Sequence, residues 1–401
     1  MKHMAQNGLK ALTSACVLLL LATVAWSQSL TWLGTLPGYD RSYASVVSAD
    51  GSVVVGLAEN AAWQYRAFRW QNGVMQDLGT LGGDGSWASD VSADGSVVVG
   101  GARNDANQWR AFRWTASGGM QDLGALRGGY SYAYGVSADG SVVVGQFASG
   151  WYRAFRWQNG VMQDLGTLGG RYSWAYGVSA DGAVVVGWSY NAAGQRRAFR
   201  WTASGGMQDL GALPGGSLSG AYGVSADGSV VVGWSLNAAG ERRPLRWTAA
   251  GAMQDLGALP GSVWSEARGV SADGSIVVGL SGGRAFRWTA TGGMEDLNRT
   301  YARLLTQGSF LERAYAISPD GRYIVGVGRN GATGHQQAFL LDTAFPPRGD
   351  VDRNGCVDDT DLLRVLFEFG AQGYRNEDLN WDGTIDDADL LQVLFHFGSG
   401  C

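Results

Sequence analysis

VSADGSVVVG, residues 47–56, decides the fold because the chain writes it six more times with few changes. The copies end at Gly56, Gly100, Gly145, Gly187, Gly233, Gly279 and Gly326, so the spacings are 44, 45, 42, 46, 46 and 47 residues. A period near 45 belongs to propeller blades and related repeat arrays, and such a repeat outranks local propensity in setting the architecture. Each unit runs on into RAFRW (66–70 in the first copy, RPLRW at 243–247, QAFLL at 337–341). A stretch like GVMQDLGTLGG (73–83) follows.

Local chemistry divides each unit into four strands. A short run such as AYGVS enters the Asp-Gly turn, where glycine supplies the positive φ of a tight hairpin. The VVV run is apolar on both faces and reads as a buried strand. RAFRW is the third strand, with Phe68 and Trp70 on one face because side chains alternate. Asn72-Gly73, or Ser-Gly-Gly in later copies, turns the chain into VMQDLGTL, the fourth. Four hairpin-linked strands make a propeller blade.

The array is permuted at its ends. It opens on SLTWLGTLPG (29–38), a lone fourth strand, and stops at AFLLDT without one. If Leu30–Leu36 completes the seventh unit, a mainly β, seven-bladed propeller closes over 28–341 with no free strand edge to invite aggregation.

Composition narrows the chemistry. There are 63 glycines but only 7 prolines, and the net charge is -5. The only lysines are Lys2 and Lys10, which removes Schiff-base and lysine-base chemistry from the rest of the chain. The acidic balance argues against a nucleic-acid surface. Residues 1–27 read as a signal peptide: a short positive region, an apolar run, then Ala25-Trp26-Ser27 before Gln28. The expectation is therefore an extracellular or cell-surface protein with no membrane span in the mature chain. Cys356 and Cys401 are then the only mature cysteines, and export favours a disulfide between them.

The repeat, as in RAFRWQNGVMQDLGTLGG followed by YSWAYGVSADGAVVVG, resembles the HAF family of bacterial extracellular repeats. Arginine stands where that family carries its naming histidine. The resemblance implies an extracellular β-repeat protein and brings no established chemistry with it.

Beyond a linker at 342–348 the character changes. Residues 349–401 hold 12 acidic and 3 basic residues, arranged as DVDRNGCVDDTD (350–361) and DLNWDGTIDDAD (378–389). Oxygen-bearing side chains stand at loop positions 1, 3, 5, 9 and 12, with glycine at 6 and a backbone carbonyl available at 7. That spacing wraps a hard cation, and six or more protein oxygens favour calcium over magnesium. The expected ligands are Asp350, Asp352, Asn354, Asp358 and Asp361 with the Cys356 carbonyl. In the second loop they are Asp378, Asn380, Asp382, Asp386 and Asp389 with the Thr384 carbonyl, for two calcium ions in all. Each loop leads straight into an amphipathic stretch, DLLRVLFEFG or DLLQVLFHFG. A loop–helix unit repeated twice resembles a type I dockerin module, which implies a cohesin-like or cell-surface partner. Positions 10 and 11, a hydroxyl pair in cohesin-contacting dockerins, are here Asp359-Thr360 and Asp387-Ala388.

Residues that recur from blade to blade are structural on this reading. Arg69, Arg113, Arg156, Arg200, Arg246 and Arg287 are expected to pair with Asp77, Asp122, Asp164, Asp209, Asp255 and Asp296. A functional site should break the repeat. The variable connections share one end of the ring and are rich in aromatics: Trp63, Tyr65, Trp87, Trp109, Tyr130, Trp151, Trp174 and Trp264 form a candidate platform for polysaccharide or a protein partner. Two function classes stand open. One is a non-catalytic secreted binding or scaffold protein with a calcium-dependent attachment module. The other is an extracellular polysaccharide-active, glycoside hydrolase-like enzyme, which needs two carboxylates roughly 5–9.5 Å apart. The repeat-breaking acids Glu59, Asp84, Asp90, Asp105, Glu241, Glu266 and Glu312 show no pairing motif, and no catalytic residue is assigned.

Overall fold

The computed structural model describes residues 28–250, 253–344, 349–352 and 355–401. The expected signal peptide and most of the expected linker, 345–348, lie outside the described residues, as does the expected calcium ligand Asn354.

Seven four-stranded antiparallel sheets follow one another along the chain, each ordered inner strand to outer strand. Blade 1 is Arg41–Val47, Val53–Glu59, Tyr65–Gln71 and Val74–Asp77. Blade 7 takes three strands from the end of the array, Phe310–Ile317, Tyr323–Arg329 and Gln336–Asp342, and Ser29–Trp32 from its start. Leu30 lies opposite Leu341 and Trp32 opposite Phe339. Trp32 thus occupies the place that Asp77 holds opposite Phe68 in blade 1. The protein is a closed seven-bladed β-propeller. Its last propeller strand runs one residue beyond the expected boundary, and Asp342 ion-pairs there with the buried Arg322, 2.8 Å away.

The VVV strands explain how the blades cohere. Val54 packs with Phe68 against blade 7, whereas Val53 and Val55 pack against blade 2. Successive side chains therefore fill opposite seams, and both faces of every blade are core. Blade follows blade closely: a Cβ on Gly95 would stand 2.6 Å from Val53. Within each inner strand the register shifts by one residue, as between Ala44 and Val46. This bulge, present in all seven blades, turns one side chain per blade toward the axis. It also fixes the glycine that ends each VVVG. A Cβ on Gly56 would lie 1.9 Å from the Tyr43 carbonyl oxygen.

The expected arginine–aspartate pairing is corrected. Asp77 stands opposite Phe68, so its side chain shares that face with Arg66, and their ion pair is 3.7 Å. The same pairing joins Arg110 to Asp122, Arg153 to Asp164, Arg197 to Asp209, Arg243 to Asp255 and Arg284 to Asp296. Arg69 points the other way and donates from Nε to the Gly95 carbonyl of the next blade, at 3.3 Å. Arg113, Arg156, Arg200 and Arg246 repeat that latch. Arg287 pairs with Glu295 instead.

The connection from blade 6 to blade 7 runs from Leu297 to Ser309, between the strands Gly293–Asp296 and Phe310–Ile317. Its helical turn Leu297–Thr300 buries Leu297, and both Leu297 and Tyr301 pack into the seam between blades 6 and 7.

The C-terminal module has two helices, Asp359–Phe367 and Asp387–His396, over a small core of Val351, Val357, Val365, Ile385 and Val393. Cys356 and Cys401 form the expected disulfide, with Cα atoms 4.7 Å apart. The tail after the second helix pairs with the first loop: Gly398 N–H donates to the Val357 carbonyl and Val357 N–H to the Ser399 carbonyl. The tail after the first helix pairs with the second loop through Ile385 in the same manner.

Candidate functional site

Antiparallel strands place the Asp-Gly turns on one end of the ring and the variable connections on the other. At the turn end the inner strands are tied by a circle of backbone hydrogen bonds. Ala49 N–H donates to the Ala93 carbonyl, and the step repeats through Ala138, Ala180, Ala226 and Ala272 to Pro319. Proline has no N–H, so the circle stops one bond short. The alanines leave a bore, and Trp381 of the C-terminal module fills it, 6% exposed against Ala49 and Ala272. Trp381 stacks on Tyr374 with the ring planes 7° apart. Burial, with the nearby carboxylates of Asp139 and Asp378, pushes the Tyr374 phenol up to about 12. The module therefore caps one end of the channel.

Trp381 is itself position 4 of the second acidic loop. In the first loop, oxygens of Asp350, Asp352 and Asp361 converge within 4.8 Å. In the second, Asp378 and Asp389 are fully buried. Neither Asp378 nor Asp389 has an ion-pairing cation among the described residues. Burial, then the neighbouring Asp389 and Asp382, raises the Asp378 carboxyl to about 7. Buried carboxylates without a counterion are costly, and this donor set fits a hard cation. Asp361 and Asp389 also accept backbone N–H groups on both oxygens. Asp358 and Asp386, expected as ligands, serve as helix N-caps, accepting from Thr360 N–H and Ala388 N–H. Asn380 donates to Asp382 within the second loop.

The other end of the ring is open, and the structure splits the expected aromatic platform. Trp63, Tyr130, Trp151 and Trp264 are exposed. Tyr65, Trp87, Trp109 and Trp174 are half-buried. Trp87 lies 4.4 Å from Trp109 and stacks on Tyr132; Trp174 stacks on Trp188 at 3.8 Å. A second feature was not anticipated. Across blades 4 to 6 indoles and guanidiniums alternate: Arg196 lies 4.0 Å from Trp188 and 4.8 Å from Trp234, and Arg242 lies 4.0 Å from Trp234 and 5.4 Å from Trp264. The signal was present in RRAFRW (196–201) and RRPLRW (242–247), where the first three blades have tyrosine or tryptophan before RAFRW.

Inside the mouth, Tyr43, Tyr176, Tyr222, Arg268 and Tyr315 line a cavity of about 300 Å³. Glu266, wholly buried, ion-pairs with both Arg242 and Arg268. The other repeat-breaking acids are dispersed. Glu59 pairs with Arg41, Asp84 with Arg103 and Glu241 with Arg243, and Glu312 accepts from Gln336. Asp105 is exposed. Asp90 lies deeper in the channel, accepting from the N–H groups of Val91 and Val136.

No family profile matches the chain, and no curated protein matches it. Solved propellers do. TolB from Acinetobacter baumannii is 11% identical over 74% of this chain, with a TM-score of 0.46, and the chain spans 65% of that protein's length. A putative TolB from Agrobacterium tumefaciens is 16% identical over 57% of this chain and 88% of its own, with a TM-score of 0.42. An oligogalacturonate lyase from Vibrio parahaemolyticus is 11% identical over 78% of this chain and 93% of its own, with a TM-score of 0.53. At such identities the last likeness speaks for the propeller fold alone.

Proposed function

We propose that this chain is an exported, non-catalytic binding protein: a rigid propeller that takes polysaccharide on its open end and carries a calcium-folded attachment module at the other. The observation that carries this reading is the asymmetry of the ring. One mouth is capped by Trp381, while the other gathers the exposed Trp63, Tyr130, Trp151 and Trp264. Flat aromatic faces on a rigid frame bind at low entropic cost. Two calcium ions are held by the carboxylates of Asp350, Asp352 and Asp361 and of Asp378, Asp382 and Asp389, and the second ion supplies the counterion that the buried Asp378 and Asp389 lack. The HAF-like and dockerin-like patterns support export and attachment.

The module also presents an attachment surface. Leu363, Leu366, Phe367 and Phe369 of the first unit are exposed, and so are Leu391, Leu394, Phe395 and Phe397, each 28 residues further on. So large an uncovered apolar face marks a protein-binding surface, here for a cohesin-like or cell-surface partner. Among the described residues no helix is long and apolar enough to cross a membrane. Glycan-array binding of the calcium-loaded chain tests the polysaccharide reading: binding lost on combined replacement of Trp63, Trp151 and Trp264 by alanine supports it, and an array without any hit refutes it.

A further inference from the structure

Arg196 is a half-buried cation at the open end of the ring. Its guanidinium is held between the indoles of Trp188 and Trp234, 7% and 4% exposed. No carboxylate lies within ion-pair distance of it among the described residues, whereas its neighbour Arg242 has Glu266. Its Nε is buried without a hydrogen-bond partner, and so is Nε1 of Trp234. Burial lowers the pKa of Arg196, and the charge of Arg242 adds to that effect. A guanidinium in this position gains much from an incoming anion, because a charge-assisted hydrogen bond in a partly dry site is about twice as strong as a neutral one.

The repeat is broken beside it to leave room. At the inner-strand position where blades 1 to 4 carry Tyr43, Trp87, Tyr132 and Trp174, blade 5 has Gly220. A Cβ there would stand 2.8 Å from Trp234 Nε1 and 3.2 Å from Arg196 Nη2. Glycine thus leaves the edge of the guanidinium uncovered toward the channel mouth. Arg242 and the half-exposed Trp264 continue the same ladder outward, with Arg268 lining the cavity at its inner end. Planar cationic forks spaced between flat rings suit a chain of sugars bearing carboxylates, since arginine pairs with carboxylate through two parallel hydrogen bonds.

We propose that the Trp188–Arg196–Trp234–Arg242–Trp264 ladder is a subsite for carboxylate-bearing polysaccharide, with Arg196 as the residue that selects the uronate. This rests on the polysaccharide-platform reading and adds the charge of the ligand to it. The test is calorimetry of the calcium-loaded full chain with oligomers of β-1,4-linked glucuronate and with cello-oligosaccharides of equal length, which differ only in bearing a hydroxymethyl group for the carboxylate. Tighter binding of the glucuronate is expected, weakening with added salt. Arg196→Gln should lower that affinity by about 10- to 100-fold, with Arg196→Lys retaining part of it. Arg375→Gln, the same charge change on the exposed module, should leave it unchanged. Equal affinity for the two oligomers, or equal losses in the Arg196→Gln and Arg375→Gln proteins, overturns the subsite while leaving the platform standing. Failure of both oligomers to bind overturns the subsite, and the platform then stands or falls with the glycan array.

Discussion

The amide of Ala338 donates a 2.9 Å hydrogen bond to the hydroxyl of Ser42, 296 residues away. Ser42 Oγ in turn donates to the carbonyl of Gly34, so one buried hydroxyl joins the first blade to both strands that complete the last. Ordinary seams are built in the same manner: Ser86 joins Ala67 and Gly79, and Ser131 joins Ala111 and Gly124. The ring's closure is chemically the same joint as its interior seams. Ser42→Ala would strand the Ala338 amide, which should cost about 1–3 kcal/mol. Urea unfolding should give the same loss for Ser131→Ala. A loss confined to Ser131→Ala would mean that the closure seam does not share in the cooperative fold.

Trp381 joins the module to the ring, and nothing comparable to an indole replaces it in an alanine-lined bore. Trp381→Ala should forfeit about 3 kcal/mol, as truncation of a buried aromatic does. The propeller's own melting should stay put, because its seams do not depend on the cap. Undocking is expected to show as faster proteolytic cleavage between the propeller and the module. An unchanged cleavage rate would mean that the cap is held by other contacts.

Chelation should act on the module alone. Without a cation, Asp378 and Asp389 are buried acids with no counterion, and binding energy becomes folding energy. In chelator, the helical far-UV signal of Asp359–Phe367 and Asp387–His396 should fall while the β signal persists. Asp389→Ala should show the same loss in saturating calcium. Helicity that survives both treatments would remove calcium from the account of the module.

The blades, their permuted closure and the disulfide were legible because each follows from a pattern with one physical solution. Seven Asp-Gly hairpins with a doubly apolar strand must stack, and a missing outer strand at one end matches a spare at the other. Two cysteines beyond the expected signal peptide leave one intramolecular pairing. What stayed hidden depends on which way side chains point across strands. Arg66 and Arg69 look alike in RAFRW, yet one turns to Asp77 and the other to the next blade. Asp358 and Asp386 fit ligand spacing, and the helix that starts beside each also uses it as its N-cap, a second role that spacing does not reveal. Trp381 reads as a loop residue until the ring of alanines facing it is seen. The Arg196 ladder spans three blades, and its spacing is set by the seams rather than by any single repeat.

Asp90 gives the ring a pH dependence of unusual sign. It occupies the inner-strand position held by Gly135, Gly177, Gly223 and Gly269 in other blades, in the narrow channel among valines and alanines. Burial there raises its carboxyl to about 7, outweighing the N–H groups of Val136 and Val91 that favour the charged form. In the unfolded chain the same group titrates near 3.9. Between those values the folded protein holds a proton that the unfolded chain has released, so stability falls as pH rises. Asp90's contribution is present in full below about pH 4 and gone once pH passes about 7. The change is at most roughly 4 kcal/mol, less to the extent that channel water solvates the anion. Asp90→Asn keeps an acceptor oxygen and cannot ionise. With calcium saturating, so that the acidic loops do not contribute, the substituted protein should melt several degrees above the parent at pH 8. The difference should shrink as pH falls and approach zero only near pH 4. Parallel melting curves for the two proteins across that range would show that Asp90 is ionised throughout and that the channel is wetter than its apolar lining implies.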